Sequence, residues 1–228
     1  MYGLLISFGA ILAFLISKRT AKKRNLKLST FYKTVNLAII LGLVGARAYH
    51  VIDYGGFYAK HPELVLQVWR GGMGIYGAIF GGFLGVLIGT EGKDILRWLD
   101  VFVLGLPLAQ SIGRWGNFFN GELYGIETKL PWGLKIEGKA HHPLFLYESI
   151  LNFLLFLYLC TLEKRNGKLK RGTIAATYLV GYGSIRFLLE FLRMESWTTY
   201  GINIAQTISL LAIIVGGLLL IKNPTGKT

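Results

Sequence analysis

The stretch NIAQTISLLAIIVGGLLLI, residues 203–221, decides the fold class. It contains no charged side chain, and about 20 predominantly apolar residues are what an α-helix needs to cross the hydrocarbon core of a bilayer. The stretch therefore predicts a transmembrane helix close to the C-terminus.

Further apolar segments recur along the chain between short polar stretches, at 2–17, 31–52, 71–90, 98–118, 143–161 and 173–192. Of the 228 residues, 53% are hydrophobic and only 16% are charged, whereas a soluble domain carries about 25% charged residues. Seven spans leave little chain for a soluble domain. The sequence predicts an all-α, polytopic integral membrane protein of about seven transmembrane helices, forming one transmembrane domain over residues 1–228.

The basic residues indicate how the chain is oriented. Lys and Arg outnumber Asp and Glu by 25 to 12, a net charge of +13, which in a soluble protein would suggest nucleic acid. Here the basic runs separate apolar blocks, so no nucleic-acid partner is expected. Most basic residues lie in alternate polar segments, at 18–33, 91–97, 162–172 and 222–228. Because positively charged loops stay cytoplasmic, the pattern predicts an N-out, C-in orientation, with these runs as solvated anchors rather than binding sites.

Several ionisable side chains lie inside the predicted spans, where they are costly and therefore candidates for function. They are Arg47, Arg114, Glu148, Arg186 and Glu190, with Asn117 and Tyr76 as polar companions. In the predicted orientation all lie toward the outer side, which predicts a polar cavity open to the outer leaflet. Arginine suits phosphate oxygens, so a net positive cavity favours a phospholipid phosphate. In the alternative interpretation each arginine snorkels or pairs with a carboxylate, as Arg186 could with Glu190 at i, i+4.

Glycine and proline mark two of the predicted spans. In the third, glycine recurs at every fourth position, at Gly77, Gly81, Gly85 and Gly89. This spacing predicts a bare helix face against which a neighbouring backbone packs closely, and the alternative is that the face also leaves room for a lipid chain. In the fourth, Pro107 removes a backbone donor and predicts a kink.

The most specific stretch is GRWGNFFNGELYG, residues 113–125. It is too polar and too rich in glycine for a buried helix, and it predicts a helix end that passes into a polar turn with backbone donors near the headgroup level. A second cluster, HHPLFLYES, occupies 141–149. In a third, RFLLEFLR at 186–193, Arg186, Glu190 and Arg193 fall on one helical stripe.

The stretch GRWGNFFNGELYG resembles the signature of the prolipoprotein diacylglyceryl transferase family. Other elements occur in the order typical of that family: Tyr2-Gly3, Arg47, WRGGMGIYGAIFGG at 69–82, LPWG at 130–133, HHPLFLYES and RFLLEFLR. The resemblance covers nearly the whole chain. It implies seven spans with an outer-facing site in the bacterial plasma (inner) membrane.

The resemblance also implies an activity. A diacylglyceryl group passes from phosphatidylglycerol to the thiol of the lipobox cysteine in a prolipoprotein signal peptide, a thioether forms, and glycerol phosphate leaves. The expected partners are phosphatidylglycerol, prolipoprotein signal peptides and the lipid bilayer. The sequence shows neither metal-ligand spacing nor a nucleotide phosphate loop, so no metal or cofactor is expected. The competing hypothesis is a carrier or flippase for an anionic lipid or solute, but no internal repeat typical of transporters is visible, and the polar residues are predicted to lie on one side rather than at mid-depth.

The resemblance assigns roles to particular residues. The expected catalytic residues are Arg114, Arg186, Tyr76 and Glu190. The residues expected to bind the phosphatidylglycerol headgroup are Tyr2, Arg47, Arg114, Asn117, Asn120, Glu122, Gly125 and Arg193, with Glu122 also bracing Arg114. Many family members have a histidine, a proposed base, where this chain has Tyr76. Because an ordinary tyrosine, with a pKa of about 10, is a poor base at neutral pH, either Tyr76 acts as a hydrogen-bonding group or another residue takes the thiol proton.

Overall fold

A computed structural model describes residues 1–165, 169–194, 196–199 and 201–222 of the chain. Parts of the predicted loops 162–172 and 193–202, and all but Lys222 of the predicted C-terminal segment 222–228, lie outside the described residues. The described helices are α1 (Tyr2–Lys23), α2 (Leu28–Asp53), α3 (Gly55–Lys60), α4 (Ile75–Gly89), α5 (Ile95–Val103), α6 (Leu106–Phe119), α7 (Leu144–Lys164), α8 (Thr173–Glu190) and α9 (Ile204–Lys222).

The described strands form two short antiparallel hairpins. Strand β1 (Leu134–Ile136) pairs with β2 (Lys139–His141), and strand β3 (Thr198–Thr199) pairs with β4 (Ile202–Asn203). The turn of the first hairpin places Glu137 and Gly138 at φ 50° and 83°. Left-handed backbone at both central positions matches the twist of paired strands.

The predicted all-α polytopic membrane fold is confirmed. Within the described residues, five helical segments are long and apolar enough to cross a membrane: Tyr2–Lys23, Leu28–Asp53, Ile95–Phe119, Leu144–Lys164 and Ile204–Lys222. The remaining predicted spans correspond to shorter or more polar helices, since α4 has 15 residues and α8 has 18 with two charged side chains. The N-out, C-in orientation remains a prediction.

The chain divides into two compact units. The small unit is Thr20–Trp98, and the large unit combines Met1–Arg19 with Leu99–Thr228. The small unit contains α2, α3 and α4, and the large unit contains α6 to α9 and both hairpins.

In the small unit, α2 packs on the glycine face of α4. A Cβ added at Gly77 or Gly81 would collide with a backbone carbonyl of α2, and one at Gly85 would lie 2.5 Å from the Ala38 Cα. The expected helix packing is therefore confirmed, and the α2 backbone occupies the glycine face. The helix begins later than the predicted position 71, because Gly71 and Gly72 adopt φ values of 85° and 73° that a right-handed helix cannot contain.

The predicted fourth span of the large unit is two helices rather than one kinked helix. Helix α5 ends at Val103 and α6 begins at Leu106, which places Pro107 in the first turn of α6. Proline is tolerated there because its missing N–H would have no helical partner. A Cβ at Gly105 would lie 2.7 Å from the Ala13 Cα, so α1 approaches closely at the break.

A buried carboxylate fixes the start of α8. Asp100 is 2% exposed and accepts hydrogen bonds from the backbone N–H groups of Gly172 and Ala175, each at 2.9 Å. These N–H groups would otherwise have no partner at a helix start. Asp100 therefore links α5 to α8, and an apolar cluster of Leu155, Ile174 and Tyr178 packs α7 against α8.

Candidate active site

Two arginines on different helices share one buried carboxylate in the large unit. Nη2 of Arg114, on α6, lies 2.6 Å from Oε1 of Glu148, on α7. Nη1 of Arg186, on α8, donates to Oε2 of the same carboxylate at 3.2 Å. Glu148 therefore brings together the two arginines that the sequence nominated as catalytic.

A second carboxylate extends this arrangement past the end of α8. Glu190 Oε2 accepts from Arg186 Nη2 at 3.2 Å and from Arg193 Nη1 at 3.4 Å, and Glu190 Oε1 accepts from Asn203 Nδ2 at 3.4 Å. The expected i, i+4 pair of Arg186 and Glu190 is thus present. The single helical stripe predicted for 186–193 is wrong in one respect: α8 ends at Glu190, so Arg193 reaches Glu190 from the following turn.

We call these linked ion pairs the arginine–glutamate chain; its members are Arg114, Glu148, Arg186, Glu190 and Arg193. Its carboxylates are buried, and its arginines are partly exposed. The side chains of Glu148 and Glu190 are 2% and 0% exposed, whereas those of Arg114, Arg186 and Arg193 are 24%, 17% and 34% exposed. Three guanidinium groups against two carboxylates leave one net positive charge. Buried carboxylates hold the arginines in place, and the partly exposed arginine side chains remain accessible to an anion.

The stretch 113–125 forms the polar turn that the sequence predicts. Helix α6 ends at Phe119, and the backbone N–H of Glu122 donates to the carbonyl of Asn117 at 2.8 Å. The Glu122 carboxylate accepts from Asn117 Nδ2 at 3.2 Å and from Asn120 Nδ2 at 3.4 Å. Glu122 therefore braces its own turn. The carboxylate that contacts Arg114 is Glu148, in contrast to the expectation for Glu122, because Glu122 follows the end of α6 and folds back on the two amides.

Tyr2 and Gly125 lie at close approaches within the large unit. A Cβ at Gly116 would collide with the Tyr2 ring, which places this half-exposed tyrosine beside the end of α6. A Cβ at Gly125 would lie 2.5 Å from the carbonyl oxygen of Leu192. Glycine at position 125 thus lets the segment after the polar turn approach the segment that carries Arg193.

Arg47 and Tyr76 belong to the small unit. Arg47 donates hydrogen bonds to four backbone carbonyls of the segment between α3 and α4. Tyr76 lies in the first turn of α4, and the centroid of its ring is 5.9 Å from that of the Tyr49 ring. Arg47 and Tyr49, the ring partner of Tyr76, thus lie within one turn of α2.

Sequence reasoning left three residues in or next to the arginine–glutamate chain without a role. Glu148 was recognised only as an ionisable residue inside a span. Tyr182, whose hydroxyl interacts with both Arg114 and Glu148, was not recognised, although it lies one turn before Arg186 on the same helix face. Asn203 has no distinctive sequence signal beyond being a polar residue at the start of an apolar block.

These features define a helical, multi-pass membrane protein with a buried chain of arginine–carboxylate pairs. Comparison with known proteins agrees with the sequence resemblance. The model of the prolipoprotein diacylglyceryl transferase family matches residues 1–222, and the chain belongs to that family.

Curated relatives match over almost the whole chain. The chain is 39% identical to the phosphatidylglycerol–prolipoprotein diacylglyceryl transferase of Finegoldia magna, covering 97% of this chain and 90% of the relative. It is 40% identical to the Clostridioides difficile protein of the same name, covering 94% and 87%. It is 38% identical to the one from Thermosynechococcus vestitus, covering 94% and 85%. The family expected from the motifs is confirmed.

Proposed function

We propose that this chain transfers the diacylglyceryl group of phosphatidylglycerol to the lipobox cysteine thiol of prolipoproteins, the first step of bacterial lipoprotein maturation. Family membership and the names of the relatives support this activity. The observation that carries it is the arginine–glutamate chain, which is net positive and partly accessible within a bundle of apolar helices. Such a site suits a lipid phosphate as leaving group.

The chemistry requires charge stabilisation more than proton transfer. The cysteine sulfur attacks the glycerol carbon that carries the phosphate ester, a carbon–sulfur bond forms, and the carbon–oxygen bond breaks. The bonding electrons stay on the departing oxygen of glycerol phosphate, and the thiol proton passes to solvent. In the proposal, Arg114 and Arg186 hold the phosphate and stabilise the developing charge, where a preorganised donor contributes about 3–4 kcal/mol. Glu190 orients Arg186, and its buried carboxylate supports that role.

The polar turn is proposed to position the headgroup. Asn117, Asn120 and Glu122 hold one another in a fixed arrangement at the end of α6, and the first of them lies three residues beyond Arg114. We assign the glycerol portion of phosphatidylglycerol to this turn. Tyr2, beside Gly116, and Arg193, the most exposed of the three arginines, complete the proposed headgroup contacts together with the backbone at Gly125.

Tyr76 is proposed to assist the removal of the proton from the substrate thiol. A free cysteine has a pKa of about 8.5, so a few per cent is thiolate at neutral pH, and nearby arginines increase that fraction. A strong base is then unnecessary, and Tyr76 contributes one hydrogen bond near the thiol. This assignment rests on the family resemblance at position 76.

We place the protein in the bacterial inner membrane with its N-terminus outside and its site toward the outer leaflet. The distribution of basic residues supports this orientation, because most of them lie in alternate polar segments of the sequence, at 18–33, 91–97, 162–172 and 222–228. Labelling of single cysteines, introduced at Lys23 and at Lys135 in a Cys160→Ser protein, tests it in intact cells. Labelling at Lys135 but not at Lys23 is expected, and the reverse pattern would refute the orientation.

The decisive test of activity uses the purified protein in phosphatidylglycerol nanodiscs. Phosphatidylglycerol labelled in its diacylglyceryl portion is mixed with a lipobox peptide, and with a control peptide that has serine in place of cysteine. The expected result is labelled thioether on the cysteine peptide alone, with one glycerol phosphate released per transfer. A carrier would instead move labelled lipid between leaflets without covalent transfer, and that result would reject the enzyme.

A further inference from the structure

Arg47 has its hydrogen-bonding capacity directed at the backbone. Its Nε donates to the carbonyl of Val65 at 2.8 Å, Nη2 donates to Leu64 at 2.6 Å, and Nη1 donates to Gly71 at 2.7 Å and Gly72 at 2.9 Å. Arg47 is 8% exposed. A guanidinium has five N–H groups, and these carbonyls take four of them, so a phosphate could form a bidentate contact with Arg47 only by displacing a carbonyl.

The four carbonyls belong to two separate parts of the segment before α4, so one guanidinium fastens both. Gly71 and Gly72 both have positive φ, and their carbonyls face the same Nη1. At Gly72 a Cβ would lie 2.6 Å from the His50 ring and 2.8 Å from Arg47 Nη1. Position 71 therefore favours glycine for its backbone conformation alone, and position 72 needs glycine both for backbone conformation and for space.

The same turn of α2 also holds the beginning of α4. The backbone N–H of Gly74 donates to the carbonyl of Ala46 at 2.8 Å. A Cβ at Gly74 would collide with the Tyr49 ring, and the Tyr49 ring in turn lies 5.9 Å from that of Tyr76. Residues 46–50 thus contact this segment at residues 64–65, at residues 71–74 and at Tyr76 in the first turn of α4.

We infer that Arg47 is a positioning residue that fixes the 64–74 segment and thereby places Tyr76, rather than a ligand of the lipid phosphate. The inference rests on the proposed function for the role of Tyr76 in transfer. It replaces the headgroup role expected for Arg47 with an indirect one. Because a displacement of about 1 Å at a reacting group can cost ~10²-fold in rate, loosening this segment should reduce turnover rather than lipid binding.

The test compares Arg47→Lys with Arg47→Gln in nanodiscs. Lysine keeps the charge that would attract a phosphate, but a single ammonium cannot reproduce a planar fork of donors. Arg70→Lys and Arg70→Gln are matched controls, because Arg70 lies in the same segment with an exposed side chain. Hydrogen exchange of peptides covering 62–76 reports on the segment, and kcat and KM for phosphatidylglycerol report on catalysis.

Both Arg47 variants should accelerate exchange in 62–76 and lower kcat by about tenfold or more, with KM changed less than about twofold. The Arg70 variants should match the wild type in each measurement. Wild-type kcat in Arg47→Lys, or a raised KM with unchanged exchange, would overturn the inference in favour of headgroup binding.

A second variant covers the case in which Arg47 substitutions fail to fold. Gly72→Ala retains the arginine but forces a Cβ against His50 and Arg47, so it should give the same combination of faster exchange and lower kcat. Unchanged exchange and kcat in Gly72→Ala would contradict the inference. If the wild-type protein transfers no label, the proposed function fails, whereas the exchange measurement still decides whether Arg47 fixes the segment.

Discussion

Arg47 and Arg186 are the same residue type inside predicted spans, yet their surroundings differ. Arg47 donates to four neutral carbonyls of one segment and is nearly inaccessible. Arg186 bridges two buried carboxylates, Glu148 and Glu190, and its side chain remains 17% exposed. The role of an intramembrane arginine is therefore better inferred from its partners and its remaining donors than from its depth or its charge.

The largest expected effect concerns the accessible arginines. Arg114→Ala and Arg186→Ala should each reduce turnover by at least about a hundredfold, because each removes a donor that stabilises charge on the leaving phosphate. Initial rates of thioether formation measure this, with Arg70→Ala as a control on an exposed arginine. Wild-type rates in a folded Arg114→Ala protein would contradict the proposed role of the accessible arginines, and with it the distinction between them and Arg47.

A smaller effect is expected at Tyr76. Tyr76→Phe removes one hydroxyl and should cost about 1–2 kcal/mol of transition-state stabilisation, the scale of one hydrogen bond. The measurement is the pH–rate profile of Tyr76→Phe beside that of Tyr76→His. Near-complete loss of activity in a well-folded Tyr76→Phe protein would instead identify position 76 as the base.

Glu122→Gln should reduce activity more modestly. Glutamine retains an oxygen that accepts from Asn117 or Asn120, so the turn keeps its shape, but hydrogen bonds to the charged carboxylate are weakened by about 1 kcal/mol. A severalfold fall in kcat/KM with an unchanged unfolding temperature is the expected result. Unaltered turnover would assign Glu122 to the structure of the turn alone.

The smallest effect concerns an exposed ion pair, in contrast to the buried ones. A hydrogen bond from Lys139 lowers the pKa of Glu127, which lies in the loop before the first hairpin. A lowered pKa means that the pair stabilises the fold above the ordinary carboxyl pKa, and that this contribution is lost as pH falls through the lowered value. In Lys139→Ala the Glu127 pKa should return toward its ordinary value in an NMR titration, with no change in transfer rate at neutral pH. A transfer rate that falls with the pair would show that the hairpin contributes to the site.

Much of the architecture could be predicted because bilayer-crossing helices leave a strong composition signal. The bounds of α7 and α9 lie within three residues of the predicted segments 143–161 and 203–221. The interruption between α5 and α6 was harder to predict, since proline is compatible with both a kinked helix and a new helix start. At the break, Gly105 packs closely against α1, and this contact joins distant parts of the chain. Such a contact cannot be recognised from the local sequence around Pro107.

The residues of the site were easier to nominate than to connect. Charge inside an apolar span identified Arg114, Glu148 and Arg186, but their order along the chain gives no indication that Glu148 joins the two arginines. For Arg47 the sequence predicted contact with the lipid headgroup and gave no indication of the backbone carbonyls that it binds. Its backbone acceptors carry no side-chain signal, so no pattern of residue types could have identified them.

The length of α4 has a consequence for the surrounding lipid. Its 15 residues extend about 22 Å, whereas the hydrocarbon core of a typical bilayer is about 30 Å thick. Membranes accommodate such a hydrophobic mismatch by thinning around the short helix. Lipids next to α4 would then have their headgroups drawn toward the midplane, so a phosphodiester would meet the protein closer to the centre of the bilayer. Bilayers of longer acyl chains should resist this deformation, so membrane thickness itself becomes a determinant of how readily the lipid substrate is presented.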